Sequence, residues 1–198
     1  MLTSLALMAQ TATLDADPYD AARTCAMASV RANGAETPEF VETARFVFYL
    51  MHADRARSEG KTFIRRMEEI VDDRPADMTP TESRAVLPEC EKRFAPVTMV
   101  RPEQLPRRQV DRDTMCLAVL YQLQFQADLV RRYPKDDWAD WIKSTTETIN
   151  ARLSQVKDSP AEAKSQDEFV AYHDRLVRAS LDLGEPLAVA RACGLKGN

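Results

Sequence analysis

The chain has 198 residues, a formal net charge of −4 and a sequence pI near 5.3, a length that makes one large domain or two small ones and lets a compact chain bury roughly 70% of its unfolded surface. The acidic balance argues against a nucleic-acid partner, because neutralising phosphates needs a clustered positive surface, and the pairs Arg65-Arg66, Arg107-Arg108 and Arg131-Arg132 stand isolated among acids. Five glycines and eleven prolines among 29% charged residues suit helices joined by proline-marked connections.

Residues 1–12, MLTSLALMAQTA, are apolar and small, followed directly by TLDADPYD. Their apolar run is short, no Lys or Arg precedes it, and Ala9-Gln10-Thr11 fits the small-x-small cleavage pattern poorly. Residues 1–17 are therefore either a degenerate signal-like segment or a frayed apolar terminus resting on the first helix. No stretch reaches the ~18 to 20 continuous apolar residues that span a bilayer, so no transmembrane segment is expected.

Proline next to a capping side chain marks four helix starts. Asp17-Pro18, Thr37-Pro38, Thr79-Pro80 and Ser159-Pro160 each put a capping oxygen before a proline at the first helical position, where its missing N–H costs nothing. Thr79 with Glu82 and Ser159 with Glu162 also fit the reciprocal capping box.

A first helix over about 18–31 carries Ala22, Cys25, Ala26 and Ser29 on one face. A second, starting at Pro38, shows Phe40, Ala44, Val47, Phe48 and Met51 at helical spacing. Phe63, Met67 and Ile70 beyond Gly60 are about a third of a turn out of phase with that stripe, so a break at Gly60 is expected. A fourth helix over 80–94 turns Val86, Leu87, Cys90 and Phe94 inward, with a kink or restart at Pro88.

Residues 95–109, with Pro96, Pro102 and Pro106, have no sustained periodicity and read as a linker. After it, 111–133 is the longest nearly continuous apolar run. Met115 to Tyr121 leaves no polar face, so this helix must be surrounded by the others. Gln122 and Gln124 mark where it is expected to meet solvent, and Tyr133-Pro134 should end it. An amphipathic helix capped by Asp136 or Asp137 follows, with Trp138, Trp141, Ile142, Thr145, Ile149, Leu153 and Val156 on one stripe. The next, starting at Pro160, aligns Phe169, Tyr172, His173, Leu176, Ser180 and Leu183 and closes at Gly184; 186–193 is a last short helix.

The expected fold class is thus all-α, a helical bundle of about seven or eight helices with no sheet. The domain reading places residues 18–95 in a first helical half, 96–110 in a Pro-rich linker and 111–198 in a second half. A weak correspondence links the halves: Asp20 and Asp111 each lie five residues before a cysteine on an apolar face, Cys25 and Cys116, and each half has a second cysteine on its last helix. That spacing is compatible with two pseudo-repeated halves.

None of the four cysteines forms a C-x-x-C pair, which disfavours zinc and thioredoxin-type redox chemistry. As small buried hydrophobes they would suit a reduced, cytoplasmic protein. As disulfides they allow three connectivities, of which Cys25–Cys90 with Cys116–Cys193 is preferred because each bond ties the first helix of a half to its last. By the chain-entropy argument, loops of this length are worth roughly 4 kcal/mol each.

Cys25 on the opening helix, Phe46-Val47-Phe48-Tyr49-Leu50 on the second and Pro88-Glu89-Cys90 on the last resemble a group of short, exported helical proteins of alphaproteobacteria, in which one cysteine near the start and one near the end frame a Tyr/Leu-rich helix. The resemblance covers about residues 17–96, carries no activity to transfer, and this chain departs from the group by its second half.

The two histidines, His52 and His173, lack the Glu-x-x-His spacing of a helical di-metal site, since Tyr49 and Val170 stand where the carboxylates would be. Phosphate-loop, zincin and nucleophile-elbow motifs do not occur. Each histidine reads as a partly buried, satisfied side chain, and the Trp138/Trp141 pair as core rather than a binding hot spot. The expectation is a non-enzymatic protein, needing no cofactor or metal, periplasmic or secreted, with a structural or interaction role in the cell envelope and an unidentified protein partner. The competing expectation is a cytoplasmic module that binds a partner or a small ligand.

Overall fold

The computed structural model describes residues 13–34, 39–57, 60–72, 78–129, 137–155 and 165–193. Among them are eight α-helices and no strand: α1 Pro18–Arg31, α2 Phe40–Ala56, α3 Phe63–Asp72, α4 Pro80–Phe94, α5 Gln109–Leu129, α6 Asp137–Leu153, α7 Gln166–Ser180 and α8 Pro186–Ala192. The chain is all-α, as expected.

Two of the expected caps are present in full. Asp17 Oδ1 accepts from the amides of Tyr19 at 2.8 Å and Asp20 at 3.2 Å, so α1 starts at Pro18. At the head of α4 the Glu82 carboxylate accepts from the Thr79 amide at 2.8 Å while Thr79 Oγ1 accepts from the Glu82 amide at 3.3 Å. Both caps satisfy donors that the first helical turn leaves without partners, and only the second is reciprocal.

The other two starts move. Thr37-Pro38 lies outside the described residues, and α2 begins at Phe40 with Glu39 as its cap, where the Glu39 amide donates to Glu42 at 2.7 Å. Ser159-Pro160 also lies outside them, and α7 begins at Gln166, capped by Ser165 accepting from the Glu168 amide.

Gly60 does break the second stripe. Its φ of +72° belongs to the left-handed region that glycine adopts without the penalty a Cβ brings. At Pro88 the expected restart does not occur. α4 runs unbroken through it, and the exposed ring sits on the solvent side, where a missing backbone bond costs least.

Two apolar cores result. The first gathers Cys25, Ala26, Val47, Phe48, Tyr49, Phe63, Met67, Val86 and Cys90 from α1 to α4. The second gathers Val100 and Leu105 of the linker with Cys116, Leu120, Leu123, Ile142, Ile149, Leu176 and Leu187 from α5 to α8. Neither core is confined to its half: Phe40 and Ala44 at the head of α2 belong to the second, while Ala118 of α5, Val177 of α7 and Leu181, the C-cap of α7, belong to the first.

The segment before α5 is docked rather than free. It contains one 3-10 turn, Pro102–Gln104, buries Val100 and Leu105, and its Val97 carbonyl accepts from the Glu185 amide at 3.0 Å. Its end also shifts, since α5 starts at Gln109 and Val110 is already buried. Gly184 explains the close approach on the other side. A Cβ there would come 2.6 Å from the Val97 carbonyl oxygen and 2.9 Å from Val100, distances that backbone contacts do not permit.

α5 holds the longest unbroken buried run among the described residues, Asp113 to Leu120, although α8, with six of its seven residues buried, is the more enclosed helix. Burying each Val, Leu or Met side chain of that run stabilises the fold by about 1.5–3 kcal/mol. Two expectations about its far end are reversed. Tyr121 is 41% exposed, its hydroxyl receiving a bond from Asn150 Nδ2 at 3.4 Å, whereas Gln122 is buried. The stripe on α7 is corrected likewise: Phe169 is 38% exposed, and Val177 and Leu181 are buried in its place. Val156, Tyr133-Pro134 and the side chain of Trp138 lie outside the described residues; Trp141 is half-buried against the second core.

Candidate functional site

All four cysteines are bonded. Cys25 of α1 joins Cys90 of α4 with 5.6 Å between Cα atoms, and Cys116 of α5 joins Cys193, the cap of α8, at 6.0 Å. Both pairs are the preferred ones, and each links the first and fourth helix of its half. Ala21, Ala22, Ala26 and Ala28, all buried, keep α1 narrow around Cys25 and let α4 approach to bonding distance.

A polar seam joins the halves. Asp54 of α2, only 1% exposed, accepts two bonds from Arg178 of α7, from Nε at 2.8 Å and Nη2 at 3.2 Å. The same Nη2 donates to the Lys61 carbonyl at 3.0 Å. One turn back on α7, buried Asp174 accepts from the Phe63 amide at 2.9 Å and so caps α3 from the opposite half. Arg55 completes the seam by pairing with Asp182 at 2.9 Å and donating to the Arg178 carbonyl at 3.1 Å. Hydrogen bonding to Asp54 holds the Arg178 guanidinium even more firmly protonated than usual.

Within the second half, buried Asp113 takes a forked pair from Arg152, at 2.7 and 3.2 Å. The Tyr172 hydroxyl donates to Asp111 at 2.7 Å, and burial, reinforced by that carboxylate, pushes its pKa up to about 12. A third group lies where α2, α4 and α8 meet. Glu185, 5% exposed, stands at the N-cap position of α8 without a side-chain capping bond. Its nearest cation is Arg45, whose Nε is 3.9 Å from Glu185 Oε1 and whose Nη1 is 3.3 Å from Glu91. Tyr49 stands beside them, its pKa pushed up to about 12 by burial first.

The histidines are half-buried. His52 packs between the rings of Phe48 and Phe94, at 4.7 and 4.8 Å between centroids, and burial, aided by Arg55, brings its pKa down to about 4. Burial also lowers that of His173, whose ring faces Phe169 at 6.3 Å. Among the described residues no group of three or more His, Cys, Asp or Glu is placed to hold a metal ion, and no helix is long and apolar enough to cross a membrane.

Chemically, the Asp–Arg and Tyr–Asp pairs tie helices together, whereas Glu185 Oε1 and Arg45 Nε are buried without a hydrogen bond. The sequence reading found the cysteines but missed Asp54, Asp113, Asp174 and Arg178. The available signal was an acid inside an otherwise apolar stripe, which asks for a buried basic partner. The described residues define an all-helical protein with two disulfides, whose two apolar cores each draw residues from both sides of the linker. Compared with models of known protein families, with curated proteins and with solved structures, the chain matches none.

Proposed function

We propose that this is an exported, non-enzymatic helical protein that acts in the cell envelope through structure or protein contact, like the short alphaproteobacterial proteins its first half resembles. The observation that carries the reading is the pairing of all four cysteines into two buried bonds. Such bonds persist in oxidising compartments and are rare where glutathione and thioredoxin keep thiols reduced. Their placement supports the same reading, since two long-loop bonds add stability through the unfolded state that serves durability outside the cell.

The test is fractionation of cells of the native host with thiols alkylated under denaturing conditions at lysis. The reading expects the protein in the periplasm or the medium with all four cysteines protected from alkylation. Recovery from the cytoplasm with four alkylated cysteines would reject it in favour of the cytoplasmic binding module.

A further inference from the structure

The junction of α2, α4, α8 and the linker contains a carboxylate in an unusual position. Glu185 Oε1 is buried and accepts no hydrogen bond. Its distance of 3.9 Å from Arg45 Nε is short enough for charge attraction and too long for a hydrogen bond. Arg45 is also shared, since its Nη1 donates to Glu91 at 3.3 Å. The charged and titratable groups around Glu185 are Arg45 and Tyr49 on α2, Glu91 on α4 and Arg191 on α8.

Two carboxylates thus divide one guanidinium, and the more buried one has the poorer contact. An ionised carboxylate without a full set of partners opposes burial. Glu185 cannot turn outward cheaply, because its own amide donates to the Val97 carbonyl and the preceding Gly184 is pressed against Val97 and Val100.

We propose that Glu185 makes the docking of α8 and the linker onto α2 and α4 sensitive to pH, tighter in mild acid, where its carboxyl takes up a proton, than at neutral pH. Protonation removes the unmatched buried charge and leaves Arg45 to Glu91. Burial, the main cause, raises the Glu185 pKa above the ordinary carboxyl range. The sign follows: a group that binds its proton more tightly when docked favours docking as pH falls through that raised pKa, and the gain is lost as pH rises again.

Hydrogen exchange on the intact, oxidised chain tests this, with rates corrected for the intrinsic effect of pH. The probe is the peptide covering 185–193, whose Glu185 and Val189 amides donate to the carbonyls of Val97 and Glu185. In the parent, protection of this peptide is expected to rise from pH 7.5 to pH 5. In Glu185→Gln it should stay flat and high across that range. Glu91→Gln, which frees Arg45 for Glu185 alone, should move the rise to lower pH and covers the case in which Glu185→Gln folds poorly. Equal pH profiles for the parent and Glu185→Gln, or a profile unmoved by Glu91→Gln, would overturn the proposal.

Discussion

At the scale of single residues, most of the specificity lies in acids buried opposite arginines. Arg178 shows how the balance is set. Removing one partner of a fully buried pair costs about 3–5 kcal/mol, but its side chain is 34% exposed, so water offsets part of the loss. Arg178→Ala is expected to cost about 2–3 kcal/mol in urea unfolding, because it strands Asp54 in the seam; a loss under about 0.5 kcal/mol would show the pair to be a surface contact. His52 makes a pH prediction. With a folded pKa of about 4 against an ordinary 6.5, the unfolded chain binds the proton more tightly, so the contribution of neutral His52 is complete above about 6.5 and is lost as pH falls toward 4. His52→Gln should flatten that part of the dependence of melting temperature on pH, while Glu185 acts in the opposite direction in every variant that keeps it. An unchanged slope would mean that His52 is not enclosed between Phe48 and Phe94.

Helices were legible in the sequence where their cause is local, and obscure where it is not. Asp17 and Thr79 cap the amides of the next few residues with their side chains and Gly60 acts through its own φ, and they mark α1, α4 and the break after α2 correctly. The side on which Tyr121, Gln122 and Phe169 fall depends on which neighbour covers them, and periodicity carries no such information. The docked state of the linker was equally hidden, since it depends on Gly184 arriving from the other end of the half. α5 provides the element-scale prediction. Leu120 is fully buried, and Leu120→Asp would place a carboxylate in the second core with no cation supplied by the apolar run. The variant is expected not to fold, as read by loss of a cooperative melting transition. Melting within a degree or two of the parent would remove α5 from its central place.

For the molecule as a whole, the two halves interlock rather than sit side by side, because α2 lends Phe40 and Ala44 to the second core while α5 and α7 with its C-cap lend Ala118, Val177 and Leu181 to the first. Each half is nevertheless closed by its own bond, over sequence separations of 65 and 77 residues. By the chain-entropy argument each bond contributes about 4 kcal/mol through the unfolded state, which makes the pair comparable to the whole stability of an ordinary domain. The reading of an exported protein depends on these two bonds, so the decisive measurement is non-reducing peptide mapping of protein isolated from its native host. It should yield two cross-linked peptide pairs, Cys25 with Cys90 and Cys116 with Cys193, one from each side of residues 95–109. Four free thiols would contradict the staples and the compartment together, and a Cys25–Cys116 pair would contradict the separately closed halves.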